Sequence, residues 1–408
     1  MIDLSEPLFQ QALPLLTIIE SHGHEAYFVG GSVRDFLLGK TIHDIDIATS
    51  ATPQEIKAIF PATIDVGIEH GTVIVRYKGG TYEVTTFRVE GKYSDYRRPD
   101  RVDFVRNLEQ DTLRRDFTIN ALAIDSKGHV FDYHGGLKDL KCHLIRAVGN
   151  PHERFQEDAL RMLRALRFST QLGFTIDKNT MSAIQQLAFL IENIAMERIQ
   201  IEFTKYLQGH FFSKKGFSLI QSELYHYLPF PNDLNIDQLI TSLEKDFEPI
   251  ETIKLSNHEI LVWGSLLYHL DIQTRELEQS YLRKWKHSNA LINNAIAFKE
   301  CRRLDIDELV MPENLYRFDR DILTLIETFY LRHGRLSSTR ITEAYLRLQI
   351  KNIQELAING KQIMAILELE RGGPIVGKLL ADIERKVVTG SLNNEYDEIV
   401  QYINEKMH

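Results

Sequence analysis

Apolar residues at Leu8, Ala12, Leu15, Leu16 and Ile19 return every three or four positions and predict a core-facing helix over residues 6 to 22. The period then drops to two. Ala26-Tyr-Phe-Val29 reads as a short apolar strand, and in Thr41-Ile-His-Asp-Ile-Asp-Ile-Ala-Thr49 isoleucines alternate with Asp44 and Asp46. On a strand, that alternation puts both carboxylates on one face and Ile45 and Ile47 on the other. Thr52-Pro-Gln-Glu55 has the form of a capping box with proline at the first helical position, so a helix follows the Asp-bearing strand. Gly71 to Tyr77 and Tyr82 to Phe87 are β-rich runs separated by Gly79-Gly80, a predicted hairpin that puts Glu83 on a strand. Residues 88 to 101, polar and rich in Tyr and Arg, read as a mobile loop ending before a β-like segment at Val102 to Val105. Asp111 to Ala123 and Arg154 to Phe168 carry amphipathic helical patterns, the second with Leu160, Leu163 and Leu166 for packing. Beyond Gly173 the chain is predominantly helical, punctuated by breakers such as Gly372-Gly373-Pro374. The pattern therefore predicts an α/β first third followed by a helical remainder.

Two carboxylates on a rigid strand suit a divalent cation. Mg²⁺ takes hard oxygen ligands, usually one or two carboxylates plus water and substrate phosphates, and metal ions can clamp an in-line nucleotidyl transfer. Just upstream, Gly30-Gly31-Ser32 feeds Val33-Arg34-Asp35. A glycine turn at a helix start lets backbone amides approach a phosphate, and Arg34 would add a cation. Arg115, beside Arg114, offers a rigid fork of donors to a sugar or triphosphate, with Asp116 and Asn120 as braces. Glu83 is a candidate third carboxylate. Asp158, Arg161, Arg164 and Arg167 recur every three residues, which on one helix makes successive members neighbours. A carboxylate accepts from the exocyclic amine of C or A, and a guanidinium donates to the adjacent ring nitrogen. U and G present a carbonyl where C and A have the amine, so Asp158 with Arg161 would disfavour both. Arg164 and Arg167 would steady the nucleotide.

Taken in order, Gly30-Gly-Ser-Val-Arg-Asp35, Asp44-Ile-Asp46, Arg114-Arg-Asp-Phe-Thr-Ile-Asn120, Glu157-Asp-Ala-Leu-Arg161 and Ile358-Asn-Gly-Lys361 resemble the class II tRNA nucleotidyltransferase and poly(A) polymerase family. Order and spacing match its short bacterial CCA-adding members over nearly the whole chain. The resemblance implies an α+β fold: a nucleotidyltransferase head with a mixed β-sheet over 1–140, then an all-helical neck (141–215), body (216–300) and tail (301–408). It implies Asp44 and Asp46 as catalytic Mg²⁺ ligands, and Gly31, Arg34, Arg115, Asp158, Arg161, Arg164 and Arg167 as the ATP and CTP site. It also implies a flexible loop at 88–101 supporting terminal A addition, a structural role for Glu197 and Glu202, and helical modules that hold the acceptor and T arms of tRNA. The rival readings are a poly(A) polymerase, an enzyme adding only CC or only A, and a noncatalytic tRNA-binding or chaperone protein.

Composition bounds this picture without redirecting it. The 408 residues, 43% hydrophobic and 26% charged, are enough for several ordinary cores. No apolar run is long enough to cross a bilayer and the N-terminus lacks the basic start of a secretory signal, so no membrane partner and a cytoplasmic location are expected. Cys142 and Cys301 stand far apart, outside metal-ligand or disulfide-framework spacing. The formal charge of −9 disfavours indiscriminate polyanion binding. Local clusters at Arg97-Arg98, Arg114-Arg115, Arg283 to Lys286 and Arg332 to Arg335 offer a basic stripe for a defined RNA. Oligomeric state is open, a homodimer being one option.

Overall fold

The structure is a computed structural model describing residues 2–91, 102–247 and 255–407. It comprises two units, Met1–Pro249 and Ile250–His408. The first begins where the Glu6 carboxylate accepts the N–H groups of Leu8 and Phe9 and starts α1, Pro7–Ser21. Ala12, Leu15, Leu16 and Ile19 are buried as the periodicity predicts, but Phe9 rather than Leu8 fills the first core position.

After α1 come β1 (Ala26–Val29), α2 (Gly31–Leu37), β2 (Asp46–Thr49) and α3 (Pro53–Ile59), the last opened by the expected Thr52/Glu55 capping box. β3 (Thr63–Asp65), β4 (Thr72–Tyr77) and β5 (Gly80–Thr86) follow. The β4–β5 hairpin turns through Lys78 and Gly79, both at positive φ (46° and 84°), so Gly80 already lies in the strand. A ribbon of β6 (Arg88–Glu90) and β7 (Val102–Phe104) replaces the start of the expected loop, because the two segments pair antiparallel. The rest of that loop, with Arg97 and Arg98, lies outside the described residues. After α4 (Leu108–Leu113), β8 (Ala123–Ile124) and β9 (Val130–Phe131) complete a seven-stranded sheet in the order β3-β4-β5-β2-β1-β8-β9. The sheet is mixed, since β2 runs antiparallel to β1 and parallel to β5. That register aligns Val29 with Asp46 and Asp46 with Glu83.

The remainder of the first unit is mainly helical: α5 (Gly136–Lys141), α6 (Pro151–Glu157), α7 (Leu160–Leu172), α8 (Lys178–Leu187) and α9 (Met196–Leu207). One short parallel ladder, Leu144–Ile145 against Thr175–Ile176, interrupts it. α7 lies at its centre, with Met162, Leu163, Ala165 and Leu166 fully enclosed. Two predicted helices are revised. The 111–123 pattern ends as a helix at Leu113, because Phe117 turns extended to bridge Ala147 and the Asp116 carboxylate takes the Phe117 N–H. The 154–168 run breaks between α6 and α7, where Asp158 is extended (φ −137°, ψ 102°) and accepts the Leu160 N–H.

The second unit is helical among its described residues. Leu261, Phe298, Ile326 and Tyr330 anchor one core, and Ile363, Ile383, Val387 and Ile399 another. Among the described residues, no helix is long and apolar enough to cross a membrane.

Candidate active site

β2 begins at Asp46, so Asp44 sits just before the strand rather than within it as predicted. Asp46 is half-buried, whereas Asp44 and Glu83 are exposed. None of the three takes a hydrogen bond or ion pair from the described residues. Burial, then the charges of Asp44 and Glu83, push the Asp46 carboxyl up to about 6, against the opposing pull of Arg115. Carboxylates that repel one another and lack partners suit a divalent cation. Among the described residues, no three His, Cys or carboxylate side chains form a preformed metal cage. The donor set fits a cation that completes its shell with triphosphate oxygens and water.

Gly30 is the constrained glycine of the turn, with φ +77°. A Cβ there would lie 3.1 Å from Asp46 Oδ2 and 3.9 Å from Arg115 Nη1, so a side chain would be strained by the backbone angle and would press on the Asp46 carboxylate. Gly31, the glycine favoured by the sequence, starts α2 with its missing Cβ 3.6 Å from Arg34 Nη2. Arg34 is buried, donates to both oxygens of Asp35 at 2.9 and 2.8 Å, and gives Nη1 to Asn120 Oδ1 at 2.8 Å. Arg115 donates to Asp111 Oδ2 and to the Asn120 carbonyl, each at 3.3 Å. Its Nε is buried without a partner, and burial lowers its pKa from the usual guanidinium range. An enclosed cation with one unused donor beside Asp46 is what a bound anion would complete.

The four-residue ladder of Asp158, Arg161, Arg164 and Arg167 does not form as a string of mutual pairs, because Asp158 lies outside α7. Arg198 of α9 donates to both Asp158 oxygens at 3.4 and 2.9 Å. Arg161 donates to Glu157 at 2.6 Å and to the Arg154 and Arg114 carbonyls at 3.0 and 2.8 Å. Arg164 holds Asp116 at 2.9 and 2.5 Å, and Arg167 holds Glu202 at 3.1 Å. Burial opposes ionisation of Asp116, but the Arg164 guanidinium and the Asn120 hydrogen bond win and hold it at about 2. Burial, reinforced by Arg164, brings Arg167 down to about 10.

Asp116 and Asn120 thus brace the site as expected, since Asn120 Nδ2 donates to Asp116 at 3.0 Å while its oxygen takes Arg34. Glu202 has the structural role expected of it, whereas Glu197 is exposed in the first turn of α9. Sequence reasoning missed Asp111, which is fully buried and ties down Arg114 and Arg115. It also missed Phe168, whose ring lies 4.3 to 5.5 Å from the guanidinium carbons of Arg34, Arg164 and Arg167. The i,i+3 and i,i+4 spacing of Asp111 to Arg114 and Arg115 was the available signal for the first; nothing local marked the second.

Comparison with known proteins places residues 26–146 in the poly A polymerase head domain family and 173–234 in the probable RNA and SrmB-binding site of polymerase A. Residues 254–403 match the putative domain 2 of tRNA nucleotidyltransferase. The chain is 45% identical over 397 residues to a CCA-adding enzyme of Enterococcus faecalis, covering 97% of this chain and 95% of that one. It is 43% identical over 402 residues to a CCA-adding enzyme of Streptococcus mutans, covering 98% of each. Its structure is similar to that of the Bacillus stearothermophilus CCA-adding enzyme in complex with CTP, with a TM-score of 0.86, 36% identity and 98% coverage of both chains.

Proposed function

The chain belongs to the CCA-adding enzymes of the tRNA nucleotidyltransferase and poly(A) polymerase family, and from that premise we propose how its own residues carry out the reaction. It adds or repairs the 3′-terminal CCA of tRNA from CTP and ATP without a nucleic-acid template, releasing pyrophosphate. The observation that carries the reading is the row Val29, Asp46, Glu83 across β1, β2 and β5, with Gly30 and Arg115 against Asp46.

Nucleotidyltransferases of this kind work with a divalent metal. Here Asp44 and Asp46 would hold Mg²⁺, and Glu83 shares their field. Bound Mg²⁺ supplies Lewis-acid polarisation of the α-phosphate and activation of the attacking hydroxyl. The tRNA 3′-hydroxyl attacks the α-phosphorus in line and pyrophosphate leaves, with no covalent enzyme intermediate. Gly30 and Gly31 keep the backbone bare beside the triphosphate, while Arg34 and Arg115 bind its sugar and phosphates. Arg115's unpaired Nε is the donor ready for that task. Asp158 and Arg161 read the base edge after exchanging Arg198 and Glu157 for the nucleotide, and Arg164 and Arg167 hold the pocket wall through Asp116 and Glu202. We further propose head (1–140), neck (141–215), body (216–300) and tail (301–408) modules, the helical ones holding the acceptor and T arms by shape and backbone. The proposed location is the cytoplasm.

Extension of tRNA ending before CCA, with CTP and ATP supplied separately and together, tests the reading. Two C additions with CTP and one A only when ATP is present, both lost on chelation and in Asp44→Ala/Asp46→Ala, are expected. Arrest after CC points to a CC-only enzyme and continued A addition to a poly(A) polymerase. Indifference to the Asp changes puts the active site elsewhere.

A further inference from the structure

Phe168 lies on α7 one turn beyond Arg164 and next to Arg167, and it is buried. Arg164 and Phe168, at i and i+4, share one face of the helix. Arg34 reaches the same ring from α2. The three guanidinium carbons lie over the ring at 4.3 Å (Arg167), 5.0 Å (Arg34) and 5.5 Å (Arg164) from its centroid. The Phe117 ring meets it edge-on, with centroids 5.8 Å apart and planes at 86°. A second path joins the same groups, since Asn120 takes Arg34 on its oxygen and donates to Asp116, which holds Arg164. Arg34, Asn120, Asp116, Arg164 and Phe168 therefore close a circuit between α2 and α7.

That convergence brings like charges together. Points 5.0 and 5.5 Å from one centroid are at most 10.5 Å apart, so no two of the three cations are farther apart than that. Arg34 and Arg167 are buried, where water screens their repulsion little. Burial first, then Arg164 and more weakly Arg34 lower the Arg167 pKa, while Glu202 and Asp116 oppose them. Arg167 also has a buried Nε with no hydrogen-bond acceptor. The face of an aromatic ring is the negative part of its quadrupole and attracts a cation within about 6 Å. A leucine would enclose the guanidiniums without attracting them. A carboxylate would attract them but would also repel the triphosphate that Arg34 is to bind. The ring attracts the cations and carries no formal charge.

We propose that Phe168 is a positioning residue of nucleotidyl transfer: through its ring face it holds Arg34 of the triphosphate side together with Arg164 and Arg167 of the base side. Base reading and triphosphate placement then depend on one shared contact. The inference rests on the nucleotide-site reading above and adds to it a residue that touches neither nucleotide nor metal. A Phe that only fills space would act through its volume, whereas this one acts through the electron density of its face.

The test uses the full chain with mono-, di- and trifluorophenylalanine placed singly at position 168, and Phe168→Leu. Added fluorines drain the negative face stepwise while nearly keeping the ring's shape, so the fluorinated chains keep the wild-type fold and Tm. In tRNA extension, kcat/KM for CTP and for ATP is expected to fall with each fluorine, by about tenfold at the trifluoro ring. The Ki of inorganic triphosphate, measured as a competitor of CTP, rises in step because Arg34 shares the ring. The Kd for tRNA stays unchanged, and Phe168→Leu loses at least as much as the trifluoro ring. A flat fluorine series beside a defective Phe168→Leu assigns the ring to packing alone and overturns the inference. A falling kcat/KM with a fixed triphosphate Ki overturns the joint hold, and so does a series that moves tRNA Kd alone. Each of these leaves the CCA reading standing. Wild-type protein that does not extend tRNA overturns both.

Discussion

Asp46 stands where two demands conflict. The fold places it half-buried beside Asp44 and Glu83, which raises its carboxyl from 3.8 to about 6, while the reaction needs it ionised to hold a cation. A folded-state pKa above the unfolded value means that the native state binds the extra proton. Its contribution to stability is therefore full below about pH 3.8 and lost as pH rises through about 6. In chelator, the Asp46 contribution to thermal stability should decline between those limits, and Asp46→Asn should flatten that part of the profile. At pH 7.5 the variant should be more stable by on the order of 1–3 kcal/mol, yet inactive. Identical pH profiles for wild type and Asp46→Asn would show that neither burial nor the neighbouring carboxylates raise Asp46. Glu83→Gln relieves the same repulsion without touching Asp44 or Asp46. It should lower the transfer rate with folding intact, and near-normal turnover would dismiss Glu83 from the reaction. The alternation of Asp and Ile made the pair legible in the sequence. The row joining Asp46 to Glu83 was not, because strand order and register arise from pairing between distant segments.

At the scale of elements, local signals held where the chain's own chemistry decides the outcome. The Thr52/Glu55 box and the 72–86 hairpin form as expected because capping and turn geometry are satisfied within a few residues. Periodicity failed where a distant partner competes. Asp158 has a helical neighbourhood but leaves the helix, since Leu160 N–H and the Arg198 guanidinium satisfy its carboxylate better than a mid-helix position could. The break takes the Asp158 carboxylate off α7 and leaves it at the end of α6, with Arg161 on the first turn of α7. Asp158→Ala with Arg161→Ala should therefore relax base selection toward UTP or GTP by about 5- to 150-fold, the range for losing one good bidentate base contact. Competition assays with all four nucleotides measure it, and unchanged C and A fidelity would end the template role.

The whole molecule consists of two units with separate apolar centres. In the first, residues such as Phe28, Ile47, Leu163 and Phe203 are enclosed; in the second, the Phe298 and Ile383 clusters are. The sequence carried the compositional change from strand-rich to helical, but the segments on both sides of residue 249 are helical, Ile236–Asp246 before it and Leu255–Leu270 after it, so no change of element type marks the unit boundary. Units with their own cores unfold as their own cooperative blocks. Scanning calorimetry should therefore resolve two transitions, or one envelope whose calorimetric enthalpy exceeds the van't Hoff value. CTP should raise only the transition of the first unit, where Asp46, Arg115 and Asp158 lie, because a ligand stabilises what it binds when native. Ile383→Ala, which empties part of a fully enclosed site, should lower only the other by about 2–5 kcal/mol. A single transition that both CTP and Ile383→Ala displace as one would mean that the two cores fold as one block, and that a change in the distal helices is felt at the nucleotide site.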